Sequence, residues 1–444
     1  MFRLPASVEF ALTSLENAGF EAFIVGGCVR DILRAESPSD YDITTSAEPE
    51  QTKEVFKNER IIETGLKHGT VTLLKEESSL EITTYRIDGE YVDNRRPEEV
   101  TFTKSLKEDL ARRDFTVNAM AYSSKTGVID IFGGKEDLKN KIIRCVGDAD
   151  RRFNEDALRI MRAIRFASVL GFEIAKDTKK SIIKNQDLLK NISAERIMAE
   201  LLKLLSGKNA KQVILEYIDV LEVILPELKG MKDFNQKNPH HIYDLLTHTA
   251  VAVENTPSEP ALRLAMLLHD CGKPDTFTTD EKGTGHFYGH SELSFEKSKA
   301  ALSRLKFDNA TADLVLSLVK QHDVQIEPTE KSVKKALNKH SPAVFFKLLE
   351  IKKADNLAQS PEYNRIGKIE NLKSIAMEIL NRGECFSLKD LAVNGNDLIN
   401  IGVPAGKKVG KALDFLLDSV INGEIENQKQ PLLDLIKEKG DFCS

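Results

Sequence analysis

Residues 24–43 read IVGGCVRDILRAESPSDYDI, and this stretch decides the fold. An apolar run ends in Gly26-Gly27, a short helical segment follows from Cys28 to Arg34, and a second β-like segment carries Asp40 and Asp42. Strand, turn, helix and strand make one compact unit. Paired glycines let the backbone approach a ligand closely, and the helix start behind them presents free N–H groups suited to phosphate. Arg30 adds a charged donor on the same turn. Asp40 and Asp42 stand two apart, so on a strand both carboxylates project from one face, an arrangement that holds divalent cations. Such a pair points to metal-assisted phosphoryl or nucleotidyl transfer.

Outward from this unit, short β-like runs continue to about residue 146 (GTVTLL, LEITTYRI, NAMAY, VIDIF, IIRCV), and this is the only strand-rich region. From Asp148 onward the apolar residues recur with helical period, as in EDALRIMRAIRFASVLGF and KQVILEYIDVLEVI. The breaks fall at Gly147 to Arg151, Lys232 to Pro239, Thr276 to Gly289 and after Gln359. The chain has 444 residues, which suggests about three domains by length alone. Its composition, 41% hydrophobic and 30% charged, excludes a disordered or collagen-like chain. The net charge of −6 gives no bulk argument for nucleic acid, so any such contact needs locally clustered cations. Five scattered cysteines without a C-x-x-C pair suit a reducing cytosol. The N-terminal stretch carries Glu9 and Glu16 in an amphipathic helical pattern, unlike a signal peptide. No run of 18 apolar residues occurs, so no membrane span is expected.

Three further motifs carry chemistry. ARRDFTVNAMAY spans residues 111–122, NEDALRIMRAIRFA 154–167 and SAERIMAELLKLL 193–205. In the second of these, Asp156 and Arg159 are three apart and read as neighbours on one helix face, with Glu155 beside them. A carboxylate only accepts and a guanidinium only donates. Cytosine and adenine each offer an amino donor beside a ring-nitrogen acceptor, whereas uracil and guanine present a carbonyl and a ring N–H. An Asp/Arg couple therefore accepts C and A and rejects U and G, with about 1–3 kcal/mol lost for each group left unpaired. Arg162 and Arg165 continue the spacing, while Leu158, Met161 and Ile164 form the apolar stripe.

The combination G-G-x-V-R-D, D-x-D and these later motifs resembles the class II tRNA nucleotidyltransferases, the CCA-adding enzymes, whose head belongs to the DNA polymerase β superfamily; bacterial poly(A) polymerases are close relatives. The resemblance implies an α+β chain: a polymerase-β-like nucleotidyltransferase head with a small mixed sheet (1–147), then an all-α neck (148–231), an HD domain (232–360) and a tRNA-binding tail (361–444). It implies Mg2+ at Asp40 and Asp42, phosphate contacts from Gly26, Gly27 and Arg30, and base choice between CTP and ATP by Asp156 and Arg159. Arg113 is the candidate nucleotide contact, with Arg112 able to exchange roles, and Asp114 the candidate for the ribose hydroxyl. Arg162 and Arg165 are expected against nucleotide or tRNA primer. Glu81 is a candidate third carboxylate. RIDGEYVDNRRPEEV, residues 86–100, resembles the loop that accompanies A-addition. An A-adding enzyme, a poly(A) polymerase and a silent tRNA-binding protein remain as rivals.

A second set of residues suggests separate chemistry. His248, His269, Asp270, His290, His322 and Asp355 run in the order H, HD, H, H, D, and imidazole with carboxylate suits a divalent transition metal. The order resembles the HD phosphohydrolases, which implies a transition-metal or Mg2+ site with phosphatase, 2′-nucleotidase or 2′,3′-cyclic phosphodiesterase activity. His248, His269, Asp270 and Asp355 form the expected basic set, extended by His290 and His322 to a second ion. Near the C-terminus, Gly406 and Gly410 with Lys407, Lys408 and Lys411 resemble the family's RNA-contacting tail. A cytoplasmic enzyme of unknown oligomeric state, acting on tRNA with CTP and ATP and away from membranes, is the expectation.

Overall fold

The computed structural model describes residues 2–65, 69–89, 91–92, 96–97, 100–439 and 442. The loop expectation at 86–100 and the position of Cys443 fall in part or wholly outside these residues. Two compact units divide the chain: 1–228 with 304–307, and 229–303 with 308–444.

The first unit is built on a seven-stranded sheet. Its strands are β1 (Ala22–Val25), β2 (Asp42–Thr45), β3 (Arg60–Gly65), β4 (Thr70–Lys75), β5 (Ser78–Thr84), β6 (Met120–Ser123) and β7 (Gly127–Asp130), in the order β7-β6-β1-β2-β5-β4-β3. Only β2 and β5 pair in parallel, with Asp42 opposite Glu81, so the sheet is mixed as expected and larger than expected. The strand β1 is buried along its whole length, which is why it reads as an unbroken apolar run. In contrast, β5 alternates: Leu80, Ile82 and Thr84 are buried while Glu81 is exposed. Helix α1 (Ala6–Asn17) buries Val8, Ala11, Leu12 and Leu15 in the same core as Ile24, Ile43 and Ile82. Helix α2 (Gly27–Leu33) leaves β1 through Gly26, whose φ of +80° lies in the left-handed region that glycine adopts without strain.

Helices α3 (Leu106–Ala111), α4 (Ala149–Glu155), α5 (Leu158–Phe166) and α6 (Ala194–Leu205) follow in the first unit. In the second unit the site-bearing helices are α7 (Leu245–Asn255), α8 (Pro260–Leu268), α9 (His290–Arg304), α10 (Asn309–Gln321) and α11 (Glu330–Leu357). Helix α8 begins with Pro260 at its first turn and is buried from Leu262 to Leu268, delivering His269 and Asp270 at its end. Helix α11 is kinked at Ser341, which adopts a φ of +62° immediately before Pro342; proline disfavours helical backbone in the residue before it. Among the described residues after 148, the regular structure is helical apart from two-residue strands at Glu173–Ile174, Thr278–Thr279 and Gly285–His286. Among the described residues, no helix is long and apolar enough to cross a membrane.

Candidate active sites

The first unit holds a cavity of about 620 Å³ lined by Gly26, Gly27, Arg30, Asp40, Asp42, Arg113, Asp114, Arg162 and Arg165. A Cβ at Gly26 would stand 3.2 Å from Arg113 Nη1 and 3.9 Å from Asp42 Oδ2, so the missing side chain is what admits the arginine. One expectation is corrected here. Asp40 precedes β2, which begins at Asp42, so the two acids are not two rungs of one strand face; Pro38 and Ser39 keep the chain in a loop that still brings Asp40 to the cavity wall. Partial desolvation at the cavity wall raises the pKa of Asp42, Arg113 opposes this, and the carboxylates of Asp40 and Glu81 push it up again. Asp42 is itself exposed on the cavity side, and an acid crowded by two others suits a hard cation such as Mg2+. Glu81 lies beside Asp42 across the strand pair but does not join Asp40 and Asp42 in a three-ligand set among the described residues.

Around these acids the arginines are held by a network the sequence reading did not include. Asp109, fully buried, takes Arg112 through Nε (3.0 Å) and Nη2 (2.7 Å) and accepts a third hydrogen bond from Thr44. Arg112 is thereby engaged outside the cavity lining, and Arg113, 3.4 Å from the same carboxylate, lines it. The i,i+3 and i,i+4 spacing from Asp109 is the signal that separates the two. Arg30 forks onto Asp31 at 2.8 and 3.0 Å and donates to Asn118 at 2.7 Å. Asp114 accepts from Asn118, from the Phe115 amide and from Arg162 through Nε (2.9 Å) and Nη2 (2.6 Å). Burial pushes Asp114 up, yet Arg162 and the other donors outweigh it and hold the carboxyl at about 2. Arg165 reaches Glu200 on α6 at 2.6 Å. Phe166 packs beneath these cations, with the Arg165 guanidinium 3.7 Å from its ring centre.

The base-choice couple departs from expectation. Helix α4 ends at Glu155 and α5 starts at Leu158, so Asp156 stands in a break and not on a helix face with Arg159. The cause is local: the Asp156 carboxylate accepts the Leu158 amide at 3.1 Å, the backbone competition by which Asp ends helices. Its other oxygen accepts from Arg196 at 2.8 Å. Arg159, only 7% exposed, donates to Glu155 (2.8 Å) and to the carbonyls of Arg152 and Arg112. Neither residue lines the cavity.

In the second unit all six predicted ligands converge. The Nδ1 atoms of His248, His269, His290 and His322 lie 3.1, 2.7, 2.8 and 2.6 Å from the carbonyls of Ala358, Met266, Phe287 and Val319. A carbonyl only accepts, so each Nδ1 carries a proton, and each Nε2 is the ring nitrogen left to meet the acids or, once deprotonated, a cation. His248 and His269 turn Nε2 to Asp270 (3.5 and 3.1 Å) and to Asp355 (3.1 and 3.7 Å). His290 and His322 turn Nε2 to the other Asp270 oxygen at 3.4 and 3.6 Å. Two ligand groups result, His248 with His269 and Asp270, and Asp270 with His290 and His322. The Nε2 atoms of His248 and His269 and both Asp270 oxygens are buried, close to one another but not aligned as hydrogen bonds. Buried polar atoms in that state are costly, and a cation shared by them satisfies all at once. Burial pulls the His269 imidazole down, but Asp270 and Asp355 outweigh it and lift it to about 10, so a cation taken up here displaces the Nε2 proton. Lys273, which the sequence reading passed over, places Nζ 2.7 Å from Asp270 and 3.1 Å from Gln236.

Residues 22–144 match the Poly A polymerase head domain, 171–232 the probable RNA and SrmB-binding site of polymerase A, and 276–436 the putative tRNA nucleotidyltransferase domain 2. The CCA-adding enzyme of Lactobacillus delbrueckii subsp. bulgaricus is 35% identical over 426 residues, 96% of each chain. That of Geobacillus thermodenitrificans is 36% identical over 435 residues, 96% of this chain and 95% of its own. The crystal structure of Bacillus stearothermophilus CCA-adding enzyme in complex with CTP shares 31% identity and a TM-score of 0.76, covering 99% of this chain and 98% of that one. Identity sustained from end to end, over a head that carries the D-x-D pair and its arginines, makes this chain a member of the CCA-adding enzyme family.

Proposed function

We propose that this chain adds CCA to the 3′ end of tRNA from CTP and ATP without a nucleic-acid template. The observation that carries the reading is one cavity that gathers three acids, the paired glycines and four arginines. Asp40 and Asp42 would hold Mg2+, which would favour the ionised 3′-hydroxyl and offset charge on the departing pyrophosphate. Gly26, Gly27 and Arg30 bind the triphosphate. Arg113, Arg162 and Arg165 supply further positive charge, and Asp114 receives a ribose hydroxyl while holding Arg162. The 3′-oxygen gives up its proton to solvent and bonds the α-phosphorus as the bond from that phosphorus to the α–β bridging oxygen breaks, releasing pyrophosphate. Asp156 and Arg159 read the base once they exchange their present partners, Arg196 and Glu155, for it. Head, neck and tail at 1–147, 148–231 and 361–444 divide catalysis, base choice and tRNA contact, with Lys407, Lys408 and Lys411 on the tail's RNA side. The cytoplasm is the corresponding location.

The test offers tRNAs ending at the discriminator base, at C or at CC, with each nucleoside triphosphate in turn. Sequential C, C and A supports the reading. Addition of A alone to CC ends points to an A-adding enzyme, long A tracts to a poly(A) polymerase, and no addition to a binding protein.

For the segment 232–360 a second activity is favoured by the unbonded ligand atoms described above: metal-dependent phosphohydrolysis at His248, His269, Asp270 and Asp355, with His290 and His322 on a second ion. A bound divalent metal supplies hydroxide near neutral pH. The chain's own part is to fix four imidazoles by their carbonyl bonds and to neutralise Asp270 with Lys273. Chelator-treated protein should take up about two Mn2+ per chain in calorimetry, an expectation set by the two ligand groups. Uptake unchanged by His269→Ala with Asp270→Ala would overturn it.

A further inference from the structure

The cavity that contains Asp270, His290, His322 and Asp355 measures about 400 Å³, the scale of a small-molecule site and more than a phosphate fills. Its wall carries an aromatic plate. Tyr288 is 78% exposed, yet its ring lies flat against His286, with centroids 5.4 Å apart and planes 7° from parallel. The plate is braced from behind. His286 Nε2 meets Asp280 Oδ2 at 3.1 Å, and Asp280 is itself fixed by the amides of Lys282 and Thr284, each at 2.9 Å. The pairing of Thr278 and Thr279 with His286 and Gly285 closes this hairpin. Arg365 lines the same cavity, and among the described residues its guanidinium has no hydrogen-bond or ion-pair partner.

A rigid, solvent-facing aromatic surface beside a phosphate-seeking cluster fits a ligand that is flat at one end and anionic at the other. A base stacks on an aromatic ring whatever its sequence identity, because every base has a π-face. A guanidinium pairs with phosphate through two parallel N–H donors. We propose that this cavity takes a nucleoside phosphomonoester, or the phosphate-bearing terminal nucleotide of an RNA, with the base on Tyr288, the phosphate over the histidine–aspartate cluster, and Arg365 as its countercharge. The inference rests on the phosphohydrolase reading and adds the part of the ligand that the metal cluster does not touch.

Two measurements test it. In the first, full-length Mn2+-loaded protein is briefly irradiated with 8-azidoadenosine 5′-monophosphate and the labelled peptides are mapped. Label is expected in the hairpin around Tyr288, in addition to any in the head, and AMP should protect that hairpin at least tenfold better than ribose 5-phosphate does. Equal protection, or label confined to the head, overturns the base subsite. In the second, Tyr288→Ala should lower kcat/KM for AMP about tenfold, the weight of one base–aromatic stack, and leave glycerol phosphate hydrolysis within about twofold, with Tyr288→Phe restoring the preference. Equal losses on both esters overturn the platform. If wild-type protein cleaves neither ester, the hydrolase reading fails, while the labelling pattern still decides the base subsite.

Discussion

The head cavity and the histidine–aspartate cluster are both ringed by charge but satisfy it in opposite ways. In the head, Arg30 is held by Asp31, Arg162 by Asp114 and Arg165 by Glu200. Asp156 is likewise held by Arg196. A nucleotide entering there competes with existing partners, so binding exchanges contacts and selectivity can come from the exchange. In the second unit the Nε2 atoms of His248 and His269 and both oxygens of Asp270 have no aligned partner, while the far side of each ring is locked to a carbonyl. Unmade buried hydrogen bonds cost about 1–3 kcal/mol each. The first arrangement is adjustable and the second preorganised, as suits a site that handles two bases in turn and, on the proposed reading, one that grips an ion.

The sharpest way to break this comparison is to disable one site and assay both. Asp42→Asn should cut nucleotide incorporation into tRNA by at least about 10²–10³-fold and leave phosphomonoester hydrolysis unchanged; a parallel loss of hydrolysis would show one shared metal site. Asp270→Asn removes the one residue common to both ligand groups. It should weaken Mn2+ binding by more than about 100-fold, read by calorimetry, with CCA addition unaffected. A smaller effect tests whether the head's pairing sets selectivity. Arg196→Ala frees the Asp156 carboxylate that Arg196 now holds at 2.8 Å. Misincorporation of UTP and GTP relative to CTP should rise about tenfold, the weight of one buried hydrogen bond to a charged group. Arg196→Lys should fall between. Unchanged selectivity would reduce Arg196 to a structural role.

What the sequence revealed follows the same divide. The convergence of histidines and aspartates in the second unit was legible because His and Asp are rare on apolar helices and each marks its own place: His269-Asp270 at the end of α8, His322 following α10 and Asp355 near the end of α11. Gly26, Gly27, Asp42 and Arg113 were legible because turn, helix start and acid follow one another within a short span. The head's pairings were not, since Asp114 meets Arg162 and Asp156 meets Arg196 across 48 and 40 residues, and no local periodicity encodes such distances. Asp156 was misplaced for a further reason. Apolar spacing ran unbroken through it, but the carboxylate's bond to the Leu158 amide outweighed the helical pattern. Asp40 was put on the strand by the two-residue spacing alone, which says nothing of where pairing with β1 and β5 begins, and that is Asp42.

The Asp114–Arg162 pair gives the finest test of the head's self-satisfied charge. Burial alone would raise the Asp114 pKa; Arg162, Asn118 and the Phe115 amide bring it instead to about 2, well below the usual carboxylate range. A carboxylate whose folded pKa is depressed adds stability above its unfolded value, and that stability disappears as pH falls through the folded one. The pair should therefore contribute on the order of 2 kcal/mol at pH 5 and above, declining between about pH 4 and 2. Asp114→Asn keeps the shape and the acceptor oxygen but removes the charge. Denaturant unfolding of both proteins should show the variant less stable by this amount at pH 6, with the two curves converging below pH 3. A gap that stays constant down to pH 2 would mean the asparagine fails by packing and not by lost charge, and the contrast between the two sites would then rest on geometry alone.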